Sequence, residues 1–303
     1  MAYPYAVLDV FTDRALAGNP LAVVLEASGL DDARMQAIAR EFGLPETVFV
    51  LPAEKPVHSA RIRIFTPRRE LPFAGHPTVG TAVFLARQRM AGAGPGRHEV
   101  MMVLEETVGP VRCGVFVTGG PSGHAVFDVP RLPEAMDVRH DVDRVAAAVG
   151  LMPNEIGFEN HKVSVFTAGV PYTFVPVRDL QTIARAQANL TAWGGAFGSD
   201  ARAAYLYCRQ TEVAGRQFHA RMFAPDLGIP EDPATGSAAA AFPGVVHRFD
   251  QPKSGNYRYA IEQGFEMGRP SLIGLEVDID NGQISAVRVS GDAVVIAEGT
   301  LDV

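Results

Sequence analysis

Short apolar runs separated by turn residues fill the chain, and their period shifts repeatedly between that of a strand and that of a helix. Tyr5 to Val10 and Leu21 to Leu25 read as strands around a turn at Gly18-Asn19-Pro20. Asp31 to Phe42 has a helical period: Met35, Ile38, Ala39 and Phe42 share one face, Asp31 and Asp32 suit the N-terminus, and Gly43 is a stop. Glu46 to Leu51 and Arg61 to Phe65 return to strand. From Pro77 to Ala91 a helix is predicted whose Ala82-Val83-Phe84-Leu85-Ala86 stretch is apolar on nearly every side, so protein must enclose it. Val100 to Val117 supplies further strands, and Thr118-Gly119-Gly120-Pro121-Ser122-Gly123 reads as a domain linker.

The second half repeats this order. Asp141 to Val149 is a helix followed by Gly150, as Asp32 to Phe42 is followed by Gly43. Strands follow at Lys162 to Thr167, Tyr172 to Val177, Ala204 to Arg209 and Gln217 to Phe223, and then a second apolar helix, Ser237 to Phe242, kinked by Pro243. The strands and helices lack the regular alternation of a parallel sheet. The expected class is α+β: two similar domains, 1–118 and 124–303, each a curled, mostly antiparallel sheet around one hydrophobic helix. The last strand, about 287–301, can join either half.

The halves also share a motif. His76-Pro77-Thr78-Val79-Gly80-Thr81-Ala82 and Asp232-Pro233-Ala234-Thr235-Gly236-Ser237-Ala238 both read [His/Asp]-Pro-x-x-Gly-[Thr/Ser]-Ala. Each is preceded by a Phe-x-Pro, at Phe65-Thr66-Pro67 and Phe223-Ala224-Pro225, and by a second proline, Pro72 and Pro230. A proline at the first helical position loses only an N–H that would be unpaired anyway. The remaining free N–H groups and the helix dipole make such a start an anion site. Gly80 and Gly236 would admit a ligand close to the backbone, and Thr81 and Ser237 add hydroxyls. Two such starts together suit a small carboxylate, whereas one copy alone reads better as a cap and a tight turn. Glu46 lies between a helix stop and an apolar strand, where partial desolvation would raise its pKa toward the range useful for proton transfer. The bland alternative is a solvated acid at a loop end. Counted from Gly43 and Gly150, the matching position of the second half is Pro153, so only one half carries the acid.

Composition narrows the partners. The chain has 303 residues, 47% hydrophobic and 20% charged, with a net charge of -7 that would repel nucleic acid and anionic membranes. Met1-Ala2-Tyr3-Pro4 runs straight into a strand without a basic n-region or a long apolar run, which makes the cytoplasm the expected compartment. Cys113 and Cys208 sit singly in strand-like contexts and read as buried reduced thiols. The eight histidines show no metal-ligand spacing, so no metal is expected. Gly92-Ala93-Gly94-Pro95-Gly96 follows a helix and contains proline, unlike a dinucleotide loop, and no cofactor is expected either.

Taken in order, Gly18-Asn19-Pro20, Glu46-Thr47-Val48-Phe49, Arg63-Ile64-Phe65-Thr66-Pro67, Glu70-Leu71-Pro72-Phe73-Ala74-Gly75-His76-Pro77, Glu231-Asp232-Pro233-Ala234-Thr235-Gly236-Ser237, Gln263-Gly264 and Gly268-Arg269-Pro270-Ser271 resemble the PhzF-like family of phenazine-biosynthesis isomerases over almost the whole chain. The resemblance implies a diaminopimelate-epimerase-like fold with the active site between two domains, a homodimer, and Glu46 as general acid/base. It also implies that His76, Asp232, Gly75, Gly236 and Ser237 surround the substrate. Related racemases use two cysteines, each just before the glycine of its helix start, and those places read here as Val79 and Thr235. With one carboxyl group the economical reaction is a same-face proton shift on a small carboxylated substrate, akin to isomerisation of trans-2,3-dihydro-3-hydroxyanthranilate. The phenazine enzymes carry a serine where Pro45 stands. A racemase or epimerase of a small amino or hydroxy acid, and a binding protein for an acidic metabolite, are the alternative readings.

Overall fold

Strand-forming runs in the first part of the chain build β1 (Ala2–Val10), β2 (Asn19–Val24), β3 (Glu46–Leu51), β4 (Ala60–Phe65), the short β5 (Glu70–Leu71), β6 (His98–Glu106), β7 (Gly109–Val117) and β8 (Ser122–Asp128). Two helices interrupt them, α1 (Asp32–Phe42) after β2 and α2 (Gly75–Arg89) after β5. The computed structural model describes residues 2–94, 96–198 and 201–303. Its contacts divide into two units: Met1–Pro130 with Val289–Val303, and Arg131–Arg288. The second unit contains β9 (Glu134–Met136), α3 (Val142–Ala148), β10 (Ser164–Thr167), β11 (Pro171–Pro176), α4 (Leu180–Ala184), α5 (Leu190–Ala196), β12 (Ala204–Cys208), β13 (Phe218–Ala224), β14 (Ile229–Asp232), α6 (Gly236–Asp250), β15 (Gly255–Gln263) and β16 (Ser271–Asp280). The last strand, β17 (Gln283–Asp302), begins in the second unit and from Val289 belongs to the first, where it pairs antiparallel with β1.

Pairing follows the same sequence of directions in both units. In the first, β1–β2 is antiparallel, β2–β3 parallel, β3–β4 and β4–β5 antiparallel, β4–β6 parallel and β6–β7 antiparallel. In the second, β10–β11, β11–β12, β12–β13, β13–β14, β13–β15 and β15–β16 repeat that series in the same order. Thus β4 corresponds to β13, β6 to β15 and α2 to α6. The duplication read from sequence is a duplication of topology.

Each unit is arranged around one enclosed helix. β6 and β7 alternate buried with more exposed residues along their length, as strands with one buried face must, and α2 packs against them and against β1, β2, β3 and β8. In the second unit α6 packs against β9, β10, β11 and β16. On the outer side of the first unit, Asp31 caps α1 by accepting from Arg34 N–H, and Gly43 ends it. Met35, Ile38 and Ala39 then join Tyr3, Val24, Phe49 and Phe65 in a second apolar layer.

Two boundaries differ from expectation. The segment 118–123 is no linker: it turns β7 into β8, which pairs back on it from Gly123 against Val117. The unit boundary falls at Pro130 instead. α6 also continues through Pro243 to Asp250, because Phe242, Val245 and Val246 are buried around the one lost N–H.

Gly80 lies well inside α2, and a Cβ there would come within 2.6 Å of Leu21 Cδ2 and 2.8 Å of Val10 Cγ2. It lets the helix approach β1 and β2 closely. Gly80→Val is expected to lower stability by about 1–3 kcal/mol through overpacking, measured by urea unfolding.

Candidate active site

The register of the two helices corrects the motif read from sequence. Ala74 is the N-cap of α2 and Thr235 that of α6, so Gly75 and Gly236 are the first helical residues and His76 and Ser237 the second. His76 and Asp232 are therefore not counterparts: Asp232 ends β14, four residues before its helix begins. The equivalent stretches are Arg63-Ile64-Phe65-Thr66-Pro67 with Arg221-Met222-Phe223-Ala224-Pro225, and Glu70-Leu71-Pro72-Phe73-Ala74-Gly75 with Glu231-Asp232-Pro233-Ala234-Thr235-Gly236. Gly80 and Thr81, expected at the ligand, sit beyond the first turn of α2 and are enclosed by the core. The residue before the first helix glycine is Ala74 and not Val79. The counterpart of Glu46, which heads β3, is Ala204 at the head of β12 and not Pro153, so the second half indeed lacks the acid.

The repeat extends to ion pairs that sequence reading did not assign. Arg63 donates from Nε and Nη2 to the two oxygens of Glu70, at 2.7 and 2.6 Å. Arg221 binds Glu231 in the same two-pronged way, at 2.8 and 2.9 Å. Each pair ties a central strand to the segment that delivers the helix start. Paired forks fix orientation as well as distance. The signal was present as an Arg and a Glu at the same offsets from Phe-x-Pro and from the helix glycine.

In the first unit, Glu46 and His76 meet. Glu46 is 9% exposed and His76 4%, and Glu46 Oε2 lies 3.2 Å from His76 Nε2 without the alignment of a good hydrogen bond. Burial pushes the imidazole down to about 3, so it is neutral at physiological pH. No side chain caps α2. Helix geometry leaves the N–H groups of Gly75 and His76 without intrahelical acceptors, and Pro77 contributes none.

In the second unit the helix start is held by a buried amide. Thr235 donates its hydroxyl to Asp232 Oδ2 at 2.6 Å. Gln263, fully buried at the end of β15, donates Nε2 to the Asp232 carbonyl at 2.7 Å and to Thr235 Oγ1 at 3.0 Å, and accepts from Thr235 N–H at 3.2 Å. Gly264 follows with φ of +79°, and any Cβ on it would stand 2.6 Å from the Pro233 carbonyl. This is a physical reason for the Gln-Gly pair noted in the sequence. Ser237 Oγ lies 2.7 Å from Tyr172 Oη, and like α2, α6 has no side-chain cap.

Other candidates carry no chemistry of this kind. Burial pushes both thiols up, Cys208 to about 12, which disfavours the thiolate. Glu159, His161 and Asp250 converge closely enough for a cation, but Arg209 Nη2 occupies that role, 2.5 Å from Asp250 and 3.3 Å from Glu159. Gln263→Leu should cost about 1–3 kcal/mol by stranding buried partners, seen as a lower unfolding midpoint. His76 gives a second test. Its folded pKa lies below its ordinary 6.5, so its neutral form contributes stability that is complete above 6.5 and lost as pH falls toward about 3. Urea unfolding between pH 7 and pH 4 should show a steeper loss for the wild type than for His76→Gln.

Comparison with known proteins agrees with these features. Residues 8–299 match the model of the PhzC-PhzF family, described as phenazine biosynthesis-like protein. An uncharacterized isomerase of Mesorhizobium japonicum is 50% identical over 98% of both chains. Trans-2,3-dihydro-3-hydroxyanthranilate isomerase of Pseudomonas chlororaphis is 34% identical, again over 98% of both. The crystal structure of a PhzF-family phenazine biosynthesis protein from Bacillus anthracis superposes with a TM-score of 0.88 at 24% identity, covering 100% of both chains, which establishes the shared fold. Among the described residues no helix is long and apolar enough to cross a membrane. With the family model spanning nearly all of both units, the chain belongs to the PhzC-PhzF family of phenazine biosynthesis-like proteins.

Proposed function

We propose that this protein is a cofactor-independent isomerase that shifts a proton within a small carboxylated substrate, with Glu46 as the general acid/base. The observation that carries this reading is the buried Glu46 carboxyl beside a neutral imidazole at the start of an enclosed helix. A group that removes and later returns a proton must exist in both protonation states during turnover. A neutral imidazole is compatible with both, because one tautomer donates an N–H to a carboxylate and the other accepts from a carboxylic acid. His76 in this role supports Glu46 without trapping it in one state.

In the second unit, Asp232, bound by the Thr235 hydroxyl, is the candidate to hold an amine or hydroxyl, and Ser237 with the first N–H groups of α6 is the candidate to take a carboxylate. Glu46 lifts a proton from carbon and delivers it elsewhere on the same face of the conjugated system. Inversion would need a second acid/base on the opposite face, and the residues preceding the helix glycines, Ala74 and Thr235, are not thiols. The relative's substrate, trans-2,3-dihydro-3-hydroxyanthranilate, is the first compound to try, with Pro45 as the known difference near Glu46.

Incubation with that compound in heavy water should give an ultraviolet change and deuterium uptake, and Glu46→Gln should slow both by about a hundred- to ten-thousandfold while ligand binding persists. Undiminished turnover by Glu46→Gln would remove Glu46 from the mechanism. Binding without exchange by the wild type would favour a metabolite-binding protein.

A further inference from the structure

We propose that Glu106 is a positioning residue that fixes the start of α2 through Thr78, and that it does so as a protonated acid. Thr78 Oγ1 is 2.8 Å from the Ala74 carbonyl and 2.8 Å from Glu106 Oε1, and all three groups are buried. A hydroxyl has one hydrogen to donate. A carbonyl oxygen can only accept, so Thr78 gives its hydrogen to Ala74. The short contact with Glu106 is then a hydrogen bond only if the carboxyl group donates. An ionised Glu106 would claim the Thr78 hydrogen and leave two oxygens facing each other at Ala74.

The second unit supports this assignment internally. β4–β6 pairs Ala60 with Leu104 and Arg61 with Glu105, as β13–β15 pairs Phe218 with Ile261 and His219 with Glu262. Glu105 accepts the backbone N–H groups of Glu54 and Lys55, and Glu262 those of Glu212 and Val213. The register therefore equates Glu106 with Gln263, whose amide donates to Thr235 Oγ1 beside its own helix start. A neutral donor stands at this position in both halves, by amide in one and by carboxylic acid in the other.

Charged neighbours do not demand ionisation. Glu106 lines a cavity of about 370 Å³ with Glu54, Lys55, His58, Arg61, Arg63 and Glu105. Arg63 is engaged by Glu70 and Asp32, Arg61 by Glu54 and His58 by Glu105, and Lys55 is exposed. Cys113 of β7, and beyond it Asp128 of β8, add no positive charge on the other side. Burial pushes the Glu106 carboxyl up to about 8, so the acid form dominates at neutral pH.

The link to the site runs through one peptide plane. The Ala74 carbonyl and the Gly75 N–H belong to the same rigid unit, and His76 follows directly. When Glu106 loses its proton, the Thr78 hydroxyl releases the Ala74 carbonyl, which keeps only the 3.3 Å bond from the Thr78 N–H, and the loosened peptide shifts Gly75 N–H and His76 relative to Glu46. This consequence rests on the isomerase reading, whereas the protonation of Glu106 does not.

Carbon-13 NMR of the glutamate-labelled protein, with Glu106 assigned by its absence in Glu106→Gln, tests the protonation directly. The expected result is a protonated Glu106 carboxyl at pH 7 that titrates in mildly alkaline solution, with the His76 ring resonances moving in the same step. With trans-2,3-dihydro-3-hydroxyanthranilate as substrate, the wild-type rate should fall about tenfold per pH unit beyond that step. Glu106→Gln, whose amide donates at every pH, should stay within about threefold of the wild type at pH 7 and show no such fall. An ionised Glu106 at pH 7, a His76 ring that ignores the titration, or an alkaline fall retained in Glu106→Gln would overturn the proposal. If the compound is not turned over, the isomerase reading suffers and the NMR result still decides the role of Glu106. Should Glu106→Gln fail to fold, titration of the wild-type carboxyl and His76 resonances decides it alone.

Discussion

A helix can be enclosed on every side only if its first amide groups find partners other than bulk water, and the organisation of both units answers that constraint. Burying a polar backbone group unpaired costs free energy comparable to a lost hydrogen bond. Apolar side chains of α2 and α6 satisfy the surrounding sheets, but they can do nothing for the helix starts. Polar atoms from other elements are brought to that end of each helix: Gln263 from the end of β15 accepts the Thr235 N–H, Glu106 from the end of β6 acts through Thr78 on the Ala74 carbonyl, and two Arg–Glu forks hold the incoming segments. The N–H groups left over are fixed in direction and shielded.

Duplication supplied the two starts, and substitution at equivalent positions made them different. Glu46 faces Ala204 in the correspondence, His76 faces Ser237, Leu71 faces Asp232, and Ala74 faces Thr235. The backbone repeat is nearly complete while the side chains differ, with a buried carboxyl group and an imidazole in one unit and a carboxyl group and two hydroxyls in the other.

Local order was legible because local residues dictate it. α1 appeared in the sequence with its cap, its apolar face and its stop, since Asp31, Met35 and Gly43 act within a few residues of one another. The helix starts were misplaced for an equally local reason. Pro-x-x-Gly occurs twice in succession, as Pro72-Phe73-Ala74-Gly75 and Pro77-Thr78-Val79-Gly80, and the second copy resembles Pro233-Ala234-Thr235-Gly236 as closely as the first. Only the strand register chooses between them, and register is set by long-range pairing. Glu106 and Gln263 were invisible as site residues because each acts on a group 28 positions away. What a sequence hides in such a fold is chiefly what crosses from strand to helix.

The protonation states form a consistent set around Glu46. An imidazolium at 3.2 Å would interact with the carboxylate by about 5 kcal/mol at an effective dielectric of about 20. Such a pair would hold Glu46 ionised and strip it of basicity, since an adjacent cation lowers a carboxyl pKa. Burial of His76 removes that cation. A charged Glu106 close to the same helix start would act in the opposite sense, favouring the acid form of Glu46 by like-charge repulsion. On the isomerase reading, two neutral titratable groups leave the first helix start to the one carboxyl that has to change state. The enclosed helix is thus more than a core element: the desolvation that its packing imposes is what keeps its neighbours neutral.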